Sequence, residues 1–152
     1  MRRAKVRFLP AAPDGATAVE FALVLPMFLM LVFGAIEFGR LLWTKEALQE
    51  TAIAGARCVA IAQGSNPTSS PCAASGSYSA ASAKSYIRQV AGGWGLSLPN
   101  SGINPDPAGS GGCAGLSQVT LTSTFTSVVP NLVLLNAGGI TLSASACYPN
   151  NS

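Results

Sequence analysis

The chain has 152 residues, a net charge of +3 and no histidine. This length accommodates one modest domain, and the lack of histidine excludes general acid–base catalysis by imidazole. The excess positive charge lies in the first 15 residues, in the side chains of Arg2, Arg3, Lys5 and Arg7 against Asp14. Because no second basic cluster follows, this asymmetry predicts membrane topology and argues against nucleic-acid binding.

Residues 16–43 are predicted to form one membrane-spanning helix. The uncharged run FALVLPMFLMLVFGAI, residues 21–36, gives about 24 Å of helix, and residues 16–20 extend it to the roughly 30 Å of a hydrocarbon layer. The basic leader, residues 1–15, then places the N-terminus in the cytoplasm and residues 44–152 on the far side of the membrane.

Two residues of this span have particular roles in the prediction. Pro26 is expected to kink the helix without breaking it, because membrane helices tolerate proline. Trp43 fits an anchor at the membrane–water interface. The competing interpretation is a cleavable signal peptide cut near Phe33–Ala35. The long apolar run and the helical pattern directly after it favour retention of the span.

The helical pattern continues beyond the span. Leu41, Leu48, Gly55 and Ala62 recur every seventh position, which predicts one continuous helix to about Ala62. The sequence QGSNPTSSPC then ends it with glycine and prolines. Residues 79–94 are predicted as a second helix, capped by Ser79 or Ser82.

The last third of the chain has the pattern of β-strands. Residues 97–115 are rich in Gly, Pro, Ser and Asn and are predicted as loop. Residues 117–129 and 140–148 alternate apolar and polar side chains, as half-buried strands do. We expect an antiparallel pair packed on the long helix. The predicted fold class is therefore α+β, with the membrane helix continuing as the spine of a small exported domain.

All four cysteines follow the predicted span. Their even number indicates two disulfides in an oxidising compartment, and an antiparallel strand pair would bring Cys113 close to Cys147, leaving Cys58 for Cys72. The other two pairings and buried free thiols stay open as alternatives. Because the chain has neither a CxxC pair nor a histidine, no metal site and no cofactor are predicted.

Glu20 places a carboxylate at the edge of the apolar run. Such a group is costly in lipid and needs a partner. If the chain is cut after Gly15, the new N-terminal amine of Ala16 lies one helical turn from Glu20 and can pair with the glutamate of a neighbouring subunit. The alternative is a glutamate that snorkels to the interface without a partner.

Residues 15–57 resemble the TadE-like family of tight-adherence pilus assembly proteins. The resemblance rests on three blocks: AVEFALVLP at Ala18–Pro26, EFGR at Glu37–Arg40 and GAR at Gly55–Arg57. A basic leader, a glycine, then a glutamate and an aromatic residue before an apolar helix is also similar to type IV prepilins. In those proteins the glycine precedes the cut, here Gly15, and the glutamate is the fifth mature residue, here Glu20.

The resemblance implies a pilin-like minor pilin or pseudopilin in the bacterial inner membrane, with a periplasmic C-terminal domain. A prepilin peptidase would cut between Gly15 and Ala16, and the partners would be membrane lipid, other pilins or pseudopilins and the pilus assembly machinery. Glu37 and Arg40 are expected to be either a local surface ion pair or a subunit contact. Whether the protein enters the filament stays open.

Two other classes of function are an enzyme and a membrane-anchored binding domain. An enzyme is not expected, because Asp106 is the only acidic side chain after Glu50 and Lys84 has no evident acidic partner. A membrane-anchored ligand-binding or adhesin domain is the alternative to pilus assembly. No aromatic cluster or metal-ligand pattern in the sequence supports it.

Overall fold

The computed structural model describes residues 14–64, 67–127 and 139–150. The predicted α+β architecture is confirmed. Its helices are α1, Asp14–Ala62, and α2, Ala80–Gly93; its strands are β1, Ala73–Ala74, β2, Ser77–Tyr78, β3, Ile103–Asp106, β4, Leu116–Phe125, and β5, Ile140–Pro149. Two short 3-10 turns, Pro67–Ser69 and Asn100–Gly102, connect these elements.

Helix α1 is continuous over 49 residues and contains Pro26 in its interior. It ends at Ala62, where the sevenfold pattern predicted its end, and begins at Asp14, just before the predicted start. The structure describes one helix long and apolar enough to cross a membrane, and its most apolar window is not buried by the rest of the described chain. The kink at Pro26 and the span limit at residue 43 stay predictions.

Helix α1 has two halves with different surroundings. In residues 15–36 no side chain is buried, whereas from Glu37 onward one face is covered by the domain. We call residues 15–36 the bare segment. It is roughly 33 Å long at 1.5 Å per residue, about the thickness of a bilayer's hydrocarbon layer. The chain is therefore a small C-terminal domain on a single-pass membrane anchor.

The sheet has three antiparallel strands in the order β3-β4-β5. The predicted pairing of β4 with β5 is confirmed, with Val119 opposite Ala146 and Phe125 opposite Ile140. Strand β4 ends at Phe125 instead of continuing to residue 129, and residues 128–138 lie outside the described chain. The alternation is also confirmed, because Val119, Leu121 and Phe125 are all buried.

Three strands were missed by the sequence prediction. Strand β3, Ile103–Asp106, lies within the segment predicted as loop and pairs with β4 as an edge strand, a position that tolerates Pro105. Strands β1 and β2 form a minimal hairpin around Ser75 and Gly76, whose φ angles of 53° and 78° fit a tight two-residue turn.

The core lies between α1 and the other elements. It contains Leu48 and Val59 from α1, Ile87 from α2, and Val119 and Leu121 from β4. Helix α2 packs closely because α1 presents Gly55 there, and a Cβ atom on Gly55 would lie 2.9 Å from the Ile87 Cγ1 atom. Small residues on α1 thus allow close packing in a domain that has few large apolar side chains.

The domain has two distinguishable ends. Strand β4 and helix α2 both run antiparallel to α1, so that Phe125 and Trp94 lie beside Arg40 and Trp43. We call this the proximal end, because it adjoins the bare segment. At the opposite, distal end, the Gln63 side chain donates to the Ser117 hydroxyl at 2.6 Å.

Both disulfides lie at the distal end. Cys58 is paired with Cys72, and Cys113 with Cys147, with Cα–Cα distances of 5.7 and 6.0 Å. This is the pairing that the sequence favoured, and it excludes free thiols among the described residues. Each crosslink closes a loop and so lowers the entropy of the unfolded chain. This typically stabilises the folded state by about 3 kcal/mol at 25 °C.

Candidate functional site

The proximal end is organised around the carboxylate of Glu37. This side chain is only 4% exposed although it follows directly on the bare segment. Arg40, one turn later on α1, donates from its Nη1 atom to both carboxylate oxygens at 3.2 and 3.1 Å. Ser127, just after β4, donates its hydroxyl to Oε1 at 3.2 Å. The chain therefore satisfies this carboxylate from both the helix and the sheet.

The predicted ion pair of Glu37 with Arg40 is present, but Glu37 does not lie at the surface. The Arg40 side chain is 46% exposed while that of Glu37 is buried. The sequence could not indicate this, because the covering residue Ser127 comes from a strand end 90 positions away. A contact of either residue with another subunit stays a prediction.

Arg40 also connects the helix to the sheet. Its guanidinium carbon lies 5.5 Å from the centroid of the buried Phe125 ring, within the range of a cation–π contact. One arginine thus contacts a buried carboxylate and the end of β4. These two contacts fix the position of the sheet along α1, with the end of β4 next to the C-terminal end of the bare segment.

Two tryptophans lie next to this group. Trp43 on α1 and Trp94 at the C-cap of α2 meet edge to face, with ring centroids 5.9 Å apart and planes at 65°. They remain 59% and 42% exposed. The sequence predicted an interfacial role for Trp43, but the meeting with Trp94 follows only from the direction of α2.

The predicted processing and registry residues lie far from Glu37. Gly15, Ala16 and Glu20 are all exposed in the first turns of α1, and Glu20 lies roughly 25 Å along the axis from Glu37. Ala16 and Glu20 are one turn apart on the same helix. Residues 1–13 of the leader lie outside the described chain.

Two basic side chains of α2 contact the turn that precedes β3. Lys84 donates to the backbone oxygen of Asn100 at 3.4 Å, and Arg88 donates to the side-chain oxygen of the same residue. Among the described residues, no group of three or more His, Cys, Asp or Glu side chains is arranged to hold a metal ion.

Asp106 caps the loop that follows β3. It accepts hydrogen bonds from the Ser110 hydroxyl and from the backbone N–H groups of Ala108, Gly109 and Ser110. The hydrogen bond from the Ser110 side chain is the main cause that lowers the pKa of Asp106, and the backbone donors add to it. The sequence signal for this turn was an aspartate followed by Pro, Gly and Ser, a combination typical of Asx turns.

These features define a class of protein: a small, disulfide-linked α+β domain carried by one membrane helix, with a buried carboxylate where the domain meets that helix. The family described as TadE-like protein matches residues 15–57. The similarity to this family lies within α1, from the start of the bare segment to Arg57, and this stretch includes Glu20, Glu37 and Arg40. No curated protein and no solved structure matches the chain.

Proposed function

We propose, from the match of residues 15–57 to the TadE-like family, that the chain takes part in assembling a tight-adherence type IV pilus. In this proposal it is a minor pilin or pseudopilin-like protein. In this proposal α1 packs among the membrane helices of other pilins or pseudopilins. The leader is cytoplasmic, and the disulfide-linked domain lies in the oxidising periplasm.

The proposal rests mainly on the character of the bare segment. It is apolar, unburied by its own domain and interrupted by one carboxylate, Glu20. Lipid can cover apolar side chains, but it gives a carboxylate no partner. A neighbouring subunit with a free N-terminal amine supplies that partner and fixes the register of the two helices.

Processing between Gly15 and Ala16 is the second part of the proposal. The family match begins at Gly15 and α1 begins at Asp14, so a cut here releases the leader together with only the first two residues of the helix. The prepilin peptidase is thus proposed as a partner. Mass spectrometry of the protein from membranes is expected to give Ala16 as the mature first residue, and an intact leader would contradict processing.

The registry role of Glu20 is tested by Glu20→Gln, which keeps the shape of the side chain and removes its charge. We expect surface pili to fall at least tenfold while the membrane level of the protein stays unchanged. Glu50→Gln is the matched control, since Glu50 is also an exposed glutamate of α1 but lies in the domain half. Normal piliation in Glu20→Gln would remove the proposed role of this residue.

We also propose that the protein has no catalytic activity. A hollow of about 170 Å³ lies between the turn Asn100–Gly102 and strands β4 and β5, and it is lined by residues such as Pro99, Ser101, Thr122 and Thr141. Its lining offers hydroxyl and backbone groups but no side chain that titrates near neutral pH, as general acid–base catalysis requires.

A further inference from the structure

Trp43 and Trp94 are the two tryptophans of this chain. They come from different helices and contact each other, yet about half of their surface faces outward. An indole ring combines a large apolar body with one N–H donor. Such side chains concentrate at the interface between lipid tails and water.

The height of the pair along α1 corresponds to that interface. Trp43 follows Ile36, the last residue of the bare segment, by two turns, or roughly 10 Å. Side chains on a helix lean toward its N-terminus, so the Trp43 ring lies closer to the bare segment than its Cα atom does. The headgroup layer on each side of a bilayer is about 5–8 Å thick. The Trp43 ring therefore reaches it.

Trp94 lies at the same height because of the direction of α2. This helix runs toward the proximal end, stops at Gly93, and has Trp94 as its C-cap. The flanking glycines Gly92, Gly93 and Gly95 are exposed, and a Cβ atom on any of them would meet nothing within 4 Å. The end of α2 is thus open to a flat partner such as a membrane surface.

The surface beside Trp43 also has a polar group suited to phospholipids. An open groove runs along α1 between Ile36, Gly39, Arg40, Trp43 and Thr44. The Arg40 Nη1 atom donates to the Glu37 carboxylate. The other nitrogens of the guanidinium carry further N–H groups that can donate to a phosphate. Glu46 and Glu50, which lie beside the Trp pair, are one and two turns farther from the bare segment.

We propose that Trp43 and Trp94 together form a docking surface for the phospholipid headgroup layer, so that the domain rests on the membrane from which α1 emerges. The occupant is lipid because the surface continues directly from the bare segment, and the glutamates beyond it limit how deeply it enters. This inference goes beyond the proposed function and does not depend on leader processing or pilus assembly.

The two tryptophans provide the test themselves. The full chain is reconstituted into phosphatidylethanolamine–phosphatidylglycerol bilayers as Trp43→Phe, which reports Trp94, and as Trp94→Phe, which reports Trp43. Lipids brominated near the headgroup or near the chain end serve as quenchers. We expect Trp94 to be quenched by the shallow bromines at least half as strongly as Trp43, and both to be quenched severalfold less by the deep bromines.

A control residue at the distal end sets the baseline. Tyr148, exposed near the end of β5, is changed to Trp in a chain that carries both Trp→Phe substitutions. It is expected to remain unquenched, because β4 and β5 place it roughly 25 Å from the proximal end. Quenching of Trp94 no stronger than this baseline would overturn the proposal. A second result would also overturn it: Trp94 emission that shifts to the blue as the protein-to-lipid ratio rises, without quenching by the bromines. A second copy of the chain would then cover the two tryptophans.

Discussion

At the residue scale, the burial of Glu37 is the most informative feature of the chain. Burying a carboxylate destabilises the fold unless cations and hydrogen-bond donors replace the lost water. Here Arg40 and Ser127 provide these contacts. The sequence predicted the ion pair from the spacing of Glu37 and Arg40. It could not predict the burial, because burial depends on where the end of β4 meets α1.

The Glu37–Arg40 pair predicts an asymmetric mutational response. Arg40→Met keeps an apolar stem against Phe125 but leaves the buried carboxylate without its cation, which we expect to cost about 2–3 kcal/mol of unfolding free energy. The double variant Glu37→Gln with Arg40→Met should recover at least half of that loss. Chemical denaturation in detergent micelles measures both. Equal stability of the single and double variants would show that no uncompensated charge is left in the single variant.

Asp106 predicts a dependence of stability on acid. Its folded-state pKa is depressed below the ordinary value of 3.8, so its contribution is fully present above pH 3.8 and is lost as the pH falls through the folded-state pKa. Asp106→Asn should therefore be less stable than the native chain at pH 6. The difference should shrink as the pH decreases below 3.8. Urea unfolding over this pH range measures it, and a difference that does not change with pH would contradict the account.

At the scale of elements, the sequence predicted those whose pattern is set locally. The sevenfold stripe defined α1 to Ala62, and the alternation of residues in β4 and β5 identified both strands. Strand β3 was missed because four residues containing Pro105 have no period of their own, and their conformation is set by pairing with β4. Trp94 was predicted as the end of the second helix, but its contact with Trp43 was not, because that contact depends on how α2 packs against α1.

The close approach of β4 to the turn before β3 gives a prediction at this scale. A Cβ atom on Gly102 would lie 2.4 Å from the backbone oxygen of Thr122, which cannot move without distorting β4. We expect Gly102→Ala to lose about 1–3 kcal/mol of stability. Gly92→Ala in α2 is the control, because its Cβ meets nothing within 4 Å and alanine favours helix. Thermal unfolding of both variants should give opposite shifts, and equal shifts would contradict this packing.

At the scale of the whole molecule, the two ends of the domain are held by different means. The distal end has both disulfides and the hydrogen bonds of Gln63, Ser117 and Asn150. The proximal end has the Glu37–Arg40 pair, the Phe125 ring and the two tryptophans. Neither set of contacts uses residues 15–36, so the bare segment of α1 stays available for contacts with other molecules.

The central claim is that the bare segment acts as a subunit surface as well as an anchor. It is tested most directly by replacing residues 16–36 with an unrelated apolar helix of equal length, leaving Gly15 and the domain from Glu37 unchanged. We expect the replaced protein still to reach the membrane and form both disulfides, while surface pili decrease at least tenfold. Normal piliation with the replaced helix would contradict the account, because an anchor alone would then be sufficient.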